Sequence, residues 1–220
     1  MTAYHDLSLH SGERQVATDY SAIRADHRFR YEWVNDRIPA SGFGLDVFCG
    51  NGYGTWLLST DRQVIGIDGS ADAIRLAEQH FRTPRTIFSV GYFPFELPER
   101  AFDFVVSLES VEHVEDGSRF FAALVSSLKP GGLLAFSTPC EDRLPLAMTG
   151  NRFHFRHYAL EETLSLAASD GLELLEWAGQ DTYSFQPDGR QGALLDADRM
   201  RLMPAKIGQF IIVLCRKRSG

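Results

Sequence analysis

Gly50, Gly52 and Gly54 fall at alternate positions in LDVFCGNGYG, directly after a strand-like apolar run. Unsubstituted backbone at that density marks a sharp turn or a surface that something approaches closely. A helix opening near Tyr53 or Gly54 would present unpaired N–H groups at the turn. Asp68, eighteen positions after Gly50, closes the next apolar run, where a carboxylate can accept both hydroxyls of an adenosine ribose. The third glycine comes one residue early for a nicotinamide dinucleotide loop, and no Lys-Ser/Thr pair follows to grip an ATP phosphate. Asp46, four residues before Gly50, would repel a pyrophosphate but suits a cationic group such as an amine or sulfonium.

An adenosine joined to a cationic amino acid meets both requirements, which points to S-adenosylmethionine. Methyl transfer from it is an in-line displacement, so the protein mainly aligns the acceptor; a hydroxyl acceptor also benefits from a base. His113 in SVEHVED is one candidate base, the alternative being that it only orders its loop. His154, Arg156 and His157 in NRFHFRHY are further candidates, with one histidine expected in the pocket and the other structural. Arg14, His27, Arg28 and Tyr31 suit an anionic or sugar-bearing acceptor, although Arg28 and Arg30 read equally well as a surface pair. Glu109 and Glu112 are ligand contacts or turn residues. No carboxylate cluster suggests magnesium, so metal independence is expected.

These residues need a scaffold. The 220 residues, 44% of them apolar, suffice for a single domain with a sizeable core. A net charge of −7 argues against broad nucleic-acid binding. No run approaches the length of a membrane span and no leader pattern opens the chain, so a cytoplasmic location is expected. Three well-separated cysteines read as reduced thiols.

From about residue 42, short β-type runs alternate with helical patterns, the mark of an α/β fold with a mainly parallel sheet. Strands are predicted up to Cys49 and at RQVIGID, TIFSV, FDFVVSL, LLAFST, LELLEWA and GQFIIVLCRK. Ser70 or Asp72 is expected to cap one helix and Ser118 another, whose Phe120, Phe121, Leu124, Val125 and Leu128 form an apolar stripe. Residues 1–40 read as a helical cover over the sheet's carboxyl edge, and 141–158 and 179–206 as substrate-side loops.

LDVFCGNGYG, VIGIDGS, FDFVVSLESVEHVED and LKPGGLLAFSTP, in this order and spacing, resemble the successive motifs of class I S-adenosylmethionine-dependent methyltransferases. The resemblance implies a Rossmann-like seven-stranded sheet with the last strand antiparallel and helices on both faces. It also implies cofactor contacts from Asp46, Gly50, Asn51, Gly52, Asp68, Gly69, Tyr92, Leu108 and Glu109, with S-adenosylhomocysteine as product. SGERQ, ADHRFRYEWV, NRFHFRHYALEE and GQ at 179–180 are similar to segments of bacterial methyltransferases of glycan and O-antigen biosynthesis. The expected acceptor is therefore a sugar, glycan or sugar phosphate. A small aromatic acceptor, as in the similar ubiquinone-pathway enzymes, and a non-catalytic adenosylmethionine-binding module are the alternatives. Two departures stand out: Phe48 occupies a position that is commonly Gly or Ala, and SVGYFPFELP lacks the usual acid near adenine. Backbone N–H groups around Gly91, with Tyr92 or Phe93, are expected to hold adenine instead.

Overall fold

A computed structural model describes Leu7, Leu9, residues 15–169 and residues 171–219. Arg14 lies outside the described residues. After a 3₁₀ turn at Tyr20–Ala22, the first helix, α1, covers Ala25–Asn35. There follow β1 (Phe43–Val47), α2 (Tyr53–Leu58), β2 (Gln63–Asp68), α3 (Ala71–His80), β3 (Thr86–Val90) and β4 (Phe102–Leu108). A 3₁₀ turn at Val111–His113 leads to α4 (Gly117–Ser127), β5 (Leu128–Pro139), the short α5 (Leu146–Thr149), α6 (Leu160–Ala167) and β6 (Leu172–Gln180). The strands β7 (Tyr183–Phe185) and β8 (Gln191–Leu194), a 3₁₀ turn at Ala197–Met200, and the strands β9 (Met203–Pro204) and β10 (Phe210–Lys217) complete the described elements.

The main sheet runs β3-β2-β1-β4-β5-β10-β6-β9. β1 to β5 pair in parallel, whereas β10 inserts antiparallel between β5 and β6. This is the α/β architecture expected from the alternating pattern, with the two-residue β9 added at one edge. The excursion after β6 contains the β7–β8 hairpin and β9, structure that its irregular sequence does not signal.

Core packing follows from strand alternation. Val106 of β4 and Ile212 of β10 face α1 to α3, where Val34, Leu58, Ile74 and Ala77 are buried with them. Leu45, Val105 and Val213 face the other side, against Phe120, Phe121 and Leu124 of α4. Burial on both faces explains why β4 reads as a continuous apolar run. Ser70 caps α3 by accepting from the Ala73 N–H, as one of the two expectations had it. Asp116, not Ser118, caps α4, because its Oδ1 accepts from the Arg119 N–H at 3.0 Å. Ser118 is already inside the helix.

Gly54 shows why one glycine of the triplet is required by packing. It lies in the first turn of α2, where an added Cβ would overlap the buried Tyr31 ring of α1. The Gly54→Ala variant is expected to lose about 1–3 kcal/mol of stability in urea unfolding, because Tyr31 cannot move without disturbing Asp46, which it hydrogen-bonds. An unchanged midpoint would show that the α1–α2 contact is loose.

Candidate functional site

The parallel strands β1, β2, β3 and β4 end on one edge of the sheet, and the loops after them enclose a cavity of about 840 Å³. Such an edge is where open α/β sheets bind ligands. Of the expected cofactor contacts, Gly50, Asp68, Gly69, Tyr92, Leu108 and Glu109 line it. The Asp68 carboxylate accepts from the Gly50 N–H at 2.9 Å through Oδ2 and from the Ser70 N–H at 2.8 Å through Oδ1. It therefore ties the β1 and β2 loops together while remaining in the cavity wall. Gly50 has φ +58°, and a Cβ on it would meet nothing within 4 Å, so open space lies over the loop. A carboxylate beside open backbone fits a ribose-bearing ligand.

Three expected contacts lie behind the cavity wall. Asp46 is wholly buried and not part of the lining; Thr55 Oγ1 donates to it at 2.6 Å and Tyr31 Oη at 3.1 Å. Burial raises its pKa to about 7, and the nearby Asp68 adds to the rise while those two hydrogen bonds oppose it. Asn51 is also buried, with its Nδ2 donating to the Ala17 carbonyl. Gly52, at φ +85°, caps α2 and packs against Ala77 and Phe88. Alternation along β1 sends Asp46 into the α1–α2 interface, and the turn points Asn51 and Gly52 away from the opening. The Gly91 N–H is likewise taken, donating to the Asp68 carbonyl at 3.0 Å, so Tyr92 and Phe93 alone of that expected adenine set reach the cavity.

Phe48 and Glu109 follow β1 and β4, line the cavity, and both have positive φ, +60° and +51°. Non-glycine residues hold such backbone only where surrounding contacts over-determine it. Phe48 stacks on Phe120 with ring centroids 5.3 Å apart, which answers why a bulky side chain fits there. Glu109 Oε1 accepts from Ser137 Oγ at 2.7 Å, and its N–H donates to the same oxygen at 3.0 Å. Burial raises the Glu109 pKa, an effect countered by Arg30.

On α1, His27, Arg30 and Tyr31 reach the cavity and Arg28 does not. Positions 27, 30, 31 and 34 share one helix face and Arg28 sits off it, a spacing that could have identified Arg30. Arg30 is 1% exposed, donates to Gln180 Oε1 at 2.7 Å and lies over the Phe210 ring. Arg24, also missed, grips Asp26 through two bonds of 2.6 and 2.7 Å. Burial works to raise the Asp26 pKa, but this grip and the positive charge of Arg30 hold it well below the usual carboxylate range. His27 is pushed down to about 3 chiefly by burial, so it is neutral.

The loop after β5 contributes Asn151, Arg152, Phe153, His154, Phe155 and His157 to the cavity. Arg156 points elsewhere, paired with the exposed Glu162 at 2.5 Å and stacked on Tyr158. Irregular backbone has no period to reveal that Arg152 and not Arg156 faces inward. His113 and His154 do come together, ring centroids 4.5 Å apart. With Glu112 they place one potential ligand atom each within 4.8 Å of one another, although the sequence suggests no metal cluster. His154, however, has Nε2 bonded to Asn151 at 3.0 Å and Nδ1 to His157 at 2.7 Å. A cation binding His154 would displace one of these partners.

Residues 45–136 match the family model described as a methyltransferase domain. The chain is 31% identical over 159 residues to a Mycolicibacterium smegmatis protein named "Probable S-adenosylmethionine-dependent methyltransferase", covering 68% of this chain and 60% of that one. The chain thus spans less than two thirds of that relative's length. It is 32% identical over 188 residues to a ubiquinone biosynthesis O-methyltransferase of Thiobacillus denitrificans, covering 76% of this chain and 80% of the relative. A solved S-adenosylmethionine-dependent methyltransferase from Mesorhizobium loti superposes with a TM-score of 0.64 at 19% identity, covering 88% of this chain and 100% of that one. At that identity the likeness shows the fold.

Asp46 gives the site a measurable pH signature. Its folded pKa of about 7 lies above the unfolded value, so its stabilising contribution is complete below about pH 4 and is lost as pH rises through 7. Between pH 5 and 7, the wild type should lose roughly 2 kcal/mol more stability than Asp46→Asn in urea unfolding. Parallel pH curves for the two proteins would mean that Asp46 ionises normally.

Proposed function

The chain belongs to the S-adenosylmethionine-dependent methyltransferases, and we propose that it methylates a hydroxyl oxygen on a small aromatic acceptor. The observation that carries this reading is the aromatic character of the cavity: Phe48, Phe93, Phe153, Phe155, Tyr183 and Phe210 all line it. Flat apolar walls bind a phenolic ring through apolar burial and ring–ring contact. The relative of Thiobacillus denitrificans, named for ubiquinone biosynthesis, supports the same choice.

Bound adenosylmethionine supplies a methyl group already activated by its sulfonium. Asp68, with the open backbone at Gly50 and Gly69, is the part of the wall suited to its ribose. Tyr92 and Phe93 offer apolar contact for adenine, and Leu108 and Glu109 continue the wall toward α1. Arg30 and Tyr31 close that side. His113 stands on the loop after β4, with Nδ1 facing the Phe153 carbonyl at 3.3 Å. A carbonyl only accepts, so Nδ1 donates to it, and an imidazole acting as base then presents its lone pair on Nε2. That nitrogen accepts the hydroxyl proton of the acceptor, a contribution of about 10²–10⁴ in rate.

A sugar or sugar-phosphate acceptor is the second reading, and the guanidinium groups of Arg119 and Arg152 support it. Both residues line the cavity, Arg119 over the Phe93 ring and Arg152 over Phe153. Cations stacked on aromatic faces can meet a phosphate or a sugar ring.

Calorimetry should show adenosylmethionine binding and no NAD binding; the reverse would overturn the family-based reading of the ligand. Asp68→Ala should weaken adenosylmethionine binding about 10–100-fold, through loss of charge-assisted bonds and release of Gly50. His113→Ala should reduce turnover about 10²–10⁴-fold and leave cofactor affinity nearly unchanged. In a labelled-methyl assay, catechols and phenols should outrun sugars and sugar phosphates. The opposite order would favour the glycan reading, and tight binding without transfer to any acceptor would favour a binding module.

A further inference from the structure

The loop after β5 holds an unbroken hydrogen-bond chain whose direction can be worked out atom by atom. The Leu144 carbonyl, which only accepts, lies 2.7 Å from His157 Nδ1, so that nitrogen carries a proton. Glu141 Oε2 stands 3.9 Å from the same nitrogen and favours the same placement. The Nε2 of a neutral His157 is then an acceptor, and the His154 Nδ1 that faces it at 2.7 Å must donate. His154 Nε2 is left as an acceptor, and Asn151 Nδ2 faces it at 3.0 Å. Asn151 is oriented independently: its Oδ1 accepts the Phe153 N–H at 2.8 Å, which leaves the amide nitrogen for His154. Every donor meets an acceptor, so one tautomer of each ring satisfies the whole chain.

The chain ends at Phe153, whose carbonyl accepts from His113 Nδ1. Phe153 is thus held at two points, its N–H by Asn151 and its carbonyl by His113. The loop is further pinned to the His113 turn by the Phe155 N–H, which donates to the Glu112 carbonyl at 2.8 Å. The His154 ring packs edge-on against His113.

We infer that Asn151, His154 and His157 are positioning residues that hold His113 in the tautomer with its lone pair on Nε2. This rests on the proposed role of His113 as proton acceptor. It also reassigns His154, a base candidate from the sequence, to a place in the supporting chain, because both of its nitrogens are engaged there. The chain works only with neutral rings. Burial lowers the pKa of His154 to about 2, helped by His113 and His157, and burial also lowers that of His157 against the pull of the Leu144 carbonyl. A proton on either ring would place two donors face to face.

The test is nitrogen-resolved NMR of the imidazoles in the full chain, run beside turnover with adenosylmethionine and catechol. Wild type should show His113, His154 and His157 neutral with the proton on Nδ1, the less common tautomer of free histidine. His157→Leu should shift His154 and His113 away from that tautomer. It should also lower kcat about 100-fold while adenosylmethionine affinity stays within about twofold. His157→Gln returns an acceptor toward His154 Nδ1 and should recover kcat to within about tenfold of wild type. If His157→Leu fails to fold, Asn151→Ala reads the same His113 signature from the other end of the chain. An Nε2 proton on His113 or His154 in wild type overturns the inference. So does an unchanged His113 tautomer in these variants, or a Gln variant no more active than the Leu one. Loss of all methyl transfer in wild type would instead count against the proposed function, since the spectra need no turnover.

Discussion

The arrangement of the site depends on hydrogen bonds that Asp68 accepts from the N–H of Gly50 and the N–H of Ser70. β1 and β2 lie side by side in register, Val47 opposite Ile67, so the residues that follow them emerge together at the sheet's carboxyl edge. One carboxylate can therefore span both loops. The bond to Gly50 requires its N–H to turn back toward β2, which the left-handed backbone at φ +58° allows. The bond to Ser70 draws in the start of α3, where the Ser70 hydroxyl accepts from Ala73. A single side chain thus sets the glycine turn, the start of α3 and the acidic point of the cavity wall. Bonds to a charged acceptor are worth about 1.5–3 kcal/mol each.

Local signals made much of this legible. The strand at 63–68, the acid that ends it and the serine after it are contiguous, and their geometry follows from chain direction alone. The order of β1 to β5 followed from alternation of apolar runs and helices. Side-chain direction was harder to read. Asp46 lies between Leu45 and Val47 in a strand buried on both faces, so its neighbours gave no sign of a polar environment. Its partners are Tyr31, on another element fifteen residues earlier, and Thr55 of α2. That pairing depends on how α1 crosses α2, which only tertiary packing fixes. Arg28 and Arg30 were separable in principle by helical period. Arg152 and Arg156 were not, because the loop that carries them repeats no angle from residue to residue. The expected Gln180 segment acquired its physical role only in the fold: the side chain accepts from Arg30 and donates to the carbonyls of Asp26 and Met200.

The buried polar groups divide into two kinds with different consequences. Around α1 the charges are kept and matched: Arg24 and Arg30 surround Asp26, which Thr182 also approaches. Taking ions out of water is costly, and removing one partner would leave another uncompensated. Around the loop after β5 the groups are titratable but neutral, and their order comes from donor–acceptor direction. A neutral chain loses less solvation on burial, and it can orient a ring without placing a fixed charge next to the acceptor.

That division matters for the chemistry. A charge beside His113 would change its basicity directly, by favouring or opposing the imidazolium that forms when it accepts a proton. Neutral His154 and His157 fix geometry with a smaller electrostatic effect. Acidic residues close to His113 in sequence, Glu112 beside it and Glu109 four positions earlier, line the same cavity. Burial holds Glu109 toward its protonated form, with Arg30 acting against that. On the proposed role of His113 as base, the β5 loop supplies its orientation and the β4 loop its acidic neighbours. Because the two functions come from different loops, a substitution in one can change tautomer without changing field, and a substitution in the other can do the reverse.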